Sequence, residues 1–363
     1  MMKDRLRNNL LELMQVPGLS GFENRVSKII KKKLQNLSIE SSSDRLGNLL
    51  ATFPGTSPSI MLFAHMDQLG LIVRKIEKDG FIRAERVGGL PERALPSQAV
   101  LVCVDEGSDV TGVIANKSHH ATAIHEKYKV VPYNEIYIDV GMRSYSEVAE
   151  AGIKIGTPIV YKPSSLLLSE SRVAGTSIDD RAGCAVLLEI AEHLAKRSFG
   201  PKIHLVFSVQ EEYNLRGVLP IAQKLLPDIA IQLDLILAAD TPDMTDRSDV
   251  RLGGGPAISM FSFHGRGTLN GVIPHPALIS LFETSAAELG LPLQRSAHIG
   301  ALTDLSYVQH VGEGVASVEI GFPLRYSHSS LEVCDLNDLV GLCRLLIDAL
   351  SRISTSFSLS REN

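Results

Sequence analysis

The sequence predicts an α/β fold: an α/β/α domain with a central mixed sheet, interrupted by a small all-β barrel-like domain. Three observations carry this. Short, uninterrupted apolar runs at 60–64, 203–209 and 235–239 suit strands covered on both faces. Amphipathic helical segments alternate with such runs after Gly175. Between 69 and 168, by contrast, strand-like runs follow one another with turn signals and only one helical stretch, the pattern of a small barrel or sandwich. The predicted division is residues 1–68 plus 169–363 for the α/β domain and 69–168 for the insertion.

Taken in order, a first helix is expected over about 6–14, broken by Pro17 and Gly18. Ser20 and Glu23 have the spacing of a capping box and open a second helix to about 34. A strand near 49–53 lies between the turn signals Gly47 and Pro54-Gly55, and the apolar strand 60–64 follows. The inserted runs are GLIVRKI, GFIRAERV, AVLVCV, VTGVIA, EIYIDV and TPIVYK, punctuated by Asp79-Gly80, Gly88-Gly89 and Glu106-Gly107, with a helix at about 146–151. Residues 181–196 form an amphipathic helix with Val186, Leu187, Ile190, Ala191 and Leu194 on one side. Further helices are expected at 218–225, 278–289 and 336–353, and a strand at 316–320. The segment after about 354 is polar and is expected to fray.

Composition limits the function. The 363 residues are 44% hydrophobic and 21% charged, as in folded globular chains. A net charge of −5 gives no general attraction to nucleic acid or anionic membrane. No signal-peptide pattern or membrane-length apolar run is found, and Cys103, Cys184, Cys334 and Cys343 are widely spaced without a CxxC pair. These features point to a reducing, cytoplasmic setting. HExxH, GxSxG and GxxxxGK[ST] are all absent from the sequence. The chain has no Trp and 5% aromatic residues, poor material for the stacking platforms of a sugar cleft.

Acidic and histidine clusters follow the apolar strands or open the helices: His65 and Asp67 after IMLFA, Asp179 and Asp180 before RAGCAVLLEIAEHL, Glu211 and Glu212 after IHLVFSV, and Asp240 at the end of LILAA. His328, in RYSHSS, follows ASVEIGF. Each alone has a commoner structural explanation, such as a helix N-cap for Asp179 or a turn for Asp240. In an open α/β sheet, however, strand C-termini converge on one rim. Several carboxylates gathered beside dry strands would repel one another, and dications relieve that repulsion. Two histidines, a bridging Asp and one further carboxylate per ion would hold a pair of divalent metals. The histidine and carboxylate donors suit zinc, with cobalt or manganese as alternatives. Of Glu211 and Glu212, one is expected to bind metal and the other to act as general base. Asp67 is expected to support the chemistry by accepting the His65 imidazole N–H.

These residues and the surrounding segments PGLSGFE, FAHMDQLG, VGGLPERALPSQAV, IYIDVG, SIDDRAGC, SVQEEYNLRG, AADTPD, LGGGPAI and RYSHSS resemble the dinuclear metallo-aminopeptidases that include glutamyl, deblocking and tetrahedral aminopeptidases, some of which carry endoglucanase or cellulase labels. The resemblance spans nearly the whole chain. It implies hydrolysis of N-terminal residues from short peptides, with His65 and Asp240 on one metal, Glu212 and His328 on the other, Asp179 bridging and Glu211 as base. It also implies a barrel in the insertion and a homo-oligomer, with a hollow tetrahedral dodecamer as one form. Two departures stand out. Gln68 replaces an acid after His-x-Asp, and Gly300-Ala301-Leu302-Thr303-Asp304 replaces a Gly-Gly-Thr-Asp pattern beside the substrate pocket.

Overall fold

The structure, a computed structural model, describes residues 1–196, 200–264 and 271–361. Among these, the main sheet has nine strands. Its centre is four mutually parallel strands, in the spatial order Pro201–Ser208, Thr56–His65, Ile229–Leu237 and Ala316–Leu324. Two antiparallel pairs flank this centre: Leu49–Phe53 with Ser41–Ser43 on one side, and Ala257–Phe263 with Gly271–Val272 on the other, the inner strand of each running against the central four. Gln294–Ile299 pairs parallel to Ala257–Phe263.

The apolar runs are continuous because both faces of the sheet are covered. Leu62 and Ala64 face a core shared with helices Met2–Met14, Ile178–Lys196, Pro276–Leu289 and Leu336–Arg352. Met61 and Phe63 face a second core built with helices Leu219–Leu225 and Leu305–Val308. The sheet is therefore sandwiched between helical layers.

The insertion is a closed barrel of six strands in the order Gly70–Ile76, Ile82–Val87, Ile138–Asp139, Val110–Ile114, Ala99–Val102 and Pro158–Tyr161, with its own apolar interior. Its helix is Tyr145–Glu150, capped by Ser144, whose hydroxyl accepts the Glu147 N–H at 3.2 Å. A separate three-stranded sheet joins Ser165–Leu167, Arg172–Gly175 and Glu332–Asp335.

Three expectations are corrected. The second helix runs Asn24–Asn36, but Ser20 and Glu23 do not form its capping box; both side chains turn toward the rim of the sheet. The strand expected at 235–239 begins six residues earlier, at Ile229, with Asp234 inside it. The tail does not simply fray, because Phe357 and Leu359 lie partly buried against the main core. Residues 362 and 363 lie outside the described residues.

Candidate metal centre

The parallel strands end at a common rim, and strand register decides which side chains meet there. Ser208 pairs with His65, and Gln232 with Phe63. Asp234 lies two residues beyond Gln232, as His65 lies two beyond Phe63, so the two reach the rim at the same level. His65 Nε2 is 3.1 Å from Asp179 Oδ1 and 4.0 Å from Glu211 Oε2. His328 Nε2 is 3.5 Å from Asp179 Oδ2 and 3.6 Å from Glu212 Oε2. Two overlapping donor groups result: His65, Asp179 and Asp234, and Asp179, Glu212 and His328, each with donor atoms within 4.8 Å of one another. Asp179 belongs to both groups and offers one oxygen to each imidazole.

The structure thus brings together His65, Asp179, Glu211, Glu212 and His328. It does not bring Asp240 to them. Asp240 receives Arg325 Nε at 2.7 Å, Arg325 Nη2 at 2.6 Å and the Leu252 N–H at 3.0 Å. Partial burial pushes the Asp240 carboxyl up, but Arg325 outweighs it and holds the group below its usual range. The carboxylate that does lie beside His65 and Asp179 is that of Asp234. A signal for it was present, since it is the lone charge in the apolar run AIQLDLIL, where an unpaired carboxylate is costly.

A second set of carboxylates holds the backbone that carries these donors. Asp67 accepts the N–H groups of Glu211 and Glu212, each at 3.0 Å, and the Ser20 hydroxyl at 2.6 Å. Its expected partner, the His65 Nδ1, is 3.5 Å from Oδ1 and closer, at 3.2 Å, to the Asp67 main-chain oxygen. Asp67 therefore acts mainly on the 211–212 backbone. Glu23 accepts the Gln210 N–H at 3.1 Å, where the chain takes a left-handed φ of 56°. Asp180 accepts the His65 N–H at 3.2 Å. Glu332 accepts the Asp179 N–H at 3.0 Å and the His328 N–H at 2.7 Å. Asp179 and Asp180 depart from helical angles, which lets adjacent side chains serve the two different sets. Glu332 and Glu23 could not be recognised from spacing, because their partners are backbone groups distant in sequence.

Gln68 accepts the Gly18 N–H at 3.1 Å and Arg181 Nη2 at 3.4 Å. This departure thus bears on the buried guanidinium of Arg181, whose pKa burial lowers to about 10, and not on the donor groups. Just after the 300–304 segment, the Leu305 N–H donates to Gln232 at 2.7 Å, and Gln232 in turn donates to Asp234 Oδ2 at 3.1 Å.

Nine carboxylates (Glu23, Asp67, Asp179, Asp180, Glu211, Glu212, Asp234, Asp304 and Glu332) are buried here, against His65, His328 and Arg181 as cationic side chains. Burial raises the carboxyls of Glu211, Asp180, Asp304 and Glu332 well above their usual range, and those of Glu212 and Asp234 to about 7. Burial opposes charge on His65, yet the Asp179 and Asp67 carboxylates outweigh it and hold the imidazole pKa well above normal. The anion excess and the mixed imidazole and carboxylate donors fit hard-to-borderline dications.

A profile of the M42 glutamyl aminopeptidase family matches residues 47–345. The chain is 37% identical over 345 residues to SgcX of Escherichia coli (strain K12), covering 94% of this chain and 92% of that protein. Among solved structures, aminopeptidase APDkam598 from the archaeon Desulfurococcus kamchatkensis superposes with a TM-score of 0.91 at 31% identity, covering 100% of both chains. The Pyrococcus horikoshii TET1 peptidase, described as assembling into a tetrahedron or a large octahedral shell, superposes with a TM-score of 0.85 at 28% identity, covering 95% of this chain and 99% of that one.

Proposed function

The chain belongs to the M42 glutamyl aminopeptidase family, and from that premise we propose that it removes N-terminal residues from short peptides with two divalent metal ions, held by His65, Asp179, Asp234, Glu212 and His328, and with Glu211 as general base. Asp234 takes the place first assigned to Asp240, because Asp240 is already matched to Arg325. The observation that carries the reading is the pair of three-donor groups sharing Asp179. Bound there, the ions would supply a water of lowered pKa and polarise the scissile carbonyl.

Glu211 is buried, with Oε2 4.0 Å from His65 Nε2. It can reach a water at the donor groups without being needed as a donor itself. It would take one proton from that water as the oxygen adds to the carbonyl, then pass it to the departing peptide nitrogen as the C–N bond breaks. Asp67 would act through Glu211 and Glu212 by fixing their backbone N–H groups.

Replacing Glu211 with Gln is expected to lower kcat on aminoacyl-anilides by about 10²- to 10⁴-fold while leaving metal content unchanged. Activity within tenfold of the parent would overturn the assignment. Zinc, cobalt and manganese reconstitution in parallel would identify the working ion.

Homo-oligomerisation belongs to the same reading. Ile124 and Tyr128 of the barrel domain are 82% and 93% exposed and are available to a neighbouring subunit. A dodecamer of 39.4 kDa chains would have a mass of about 470 kDa by light scattering. A monomeric mass would refute it. No helix among the described residues is long and apolar enough to cross a membrane.

A further inference from the structure

The barrel reaches the metal centre through two adjacent glycines. Strand Ile82–Val87 ends, Gly88 and Gly89 follow, and Leu90 and Leu95 then anchor the chain in the barrel interior. Gly88 has φ 87°, and a β-carbon there would lie 2.8 Å from Leu69 Cβ and 3.3 Å from the Glu212 carbonyl oxygen. Gly89 is not in the left-handed region. What constrains it is space, since its β-carbon would lie 3.0 Å from His328 Nδ1 and 3.2 Å from Cε1.

The Gly89 carbonyl is 3.0 Å from His328 Nδ1. A carbonyl can only accept, so Nδ1 donates, and Nε2 is left to face Asp179 and Glu212. The His328 backbone is separately held by Glu332. The other imidazole differs: the groups around His65 Nδ1 are the main-chain and side-chain oxygens of Asp67, immediately beyond the same strand. One donor group is therefore oriented from within the α/β domain, and the other leans on the insertion.

We propose that the Gly88-Gly89 loop is a positioning element that makes cation binding at Asp179, Glu212 and His328 depend on how the barrel sits against the α/β domain. By reciprocity, a cation at that site holds the barrel in place. The proposal rests on the two-metal reading above.

The test uses the full-length protein, stripped with chelator and titrated with Zn²⁺, with bound metal counted by mass spectrometry. The parent should bind two ions. Gly89→Ala should keep one at parental affinity and weaken the other about tenfold, the scale seen when partners of a metal-bound imidazole are disturbed. Gly89→Val, which presses harder on the ring, should weaken it further. Hydrogen exchange gives a second readout that does not depend on these variants folding well. Zn²⁺ should slow amide exchange over 88–95 in the parent and fail to do so in His328→Ala. Two ions at parental affinity in both Gly89 variants would overturn the proposal, as would unchanged exchange over 88–95 in the parent. A parent that binds no second ion would instead bring down the two-metal reading, and this proposal with it.

Discussion

Asp67 offers a direct test of how Glu211, the proposed base, is held. It is fully buried and receives three hydrogen bonds: the Glu211 N–H on Oδ1, and the Glu212 N–H and Ser20 hydroxyl on Oδ2. Asp67→Asn keeps the shape but leaves one acceptor oxygen. If that oxygen stays with Glu212 and Ser20, the new NH₂ confronts the Glu211 N–H, donor against donor. A hydrogen bond to a buried carboxylate contributes about 1.5–3 kcal/mol. Losing the Glu211 bond at about 2–3 kcal/mol, if felt wholly in the transition state, lowers kcat about 30- to 150-fold. The assay is kcat on an aminoacyl-anilide at matched metal occupancy, with bound metal counted in parallel. A kcat within about threefold of the parent would refute the claim that Asp67 positions the base. Loss of both ions together with activity would show that it serves metal binding instead.

Other predictions follow from the same geometry. Asp234→Asn should lose an ion from the His65 side of the centre, whereas Asp240→Asn should retain both ions and keep kcat within about tenfold; the reverse pattern in a metal count would restore the sequence-based assignment. Glu319, 2% exposed in the strand Ala316–Leu324, has its carboxyl raised from 4.5 to about 8 by burial and then by the charge of Asp234. Because the folded chain holds this proton more tightly, its contribution to stability is complete below pH 4.5 and lost as pH rises through 8, a span worth about 5 kcal/mol. Metal-free protein should therefore lose thermal stability between about pH 5 and 8, and Glu319→Gln should lose less; parallel melting curves would contradict this.

Much of the fold was legible because it rests on local patterning. The apolar runs at 60–64 and 203–209 suited strands covered on both faces, and they fall in the strands Thr56–His65 and Pro201–Ser208, which are. The closely spaced runs after Leu69 had only one short helical stretch among them, and they close on themselves. Several of the site's residues were legible because ionisable groups just past buried strands need an explanation. The reading failed where a residue's task depended on its partner. Ser20 and Glu23 had the spacing of a helix cap, but the carboxylate of Asp67 and the strained turn at Gln210 claim them instead.

The sequence by itself determined the α/β pattern with its β insertion, the family, and a pool of acids and histidines at the ends of apolar strands. Only the tertiary structure placed Asp234 beside His65 and Asp179 and Asp240 beside Arg325, gave Glu332 and Glu23 their backbone partners, and set Gly89 of the barrel against His328. The reason is physical. Hydrophobic periodicity is a property of neighbours along the chain, whereas the fate of a charge depends on strand register and on which opposite charge arrives beside it, here Arg325 for Asp240 and the shared rim for Asp234.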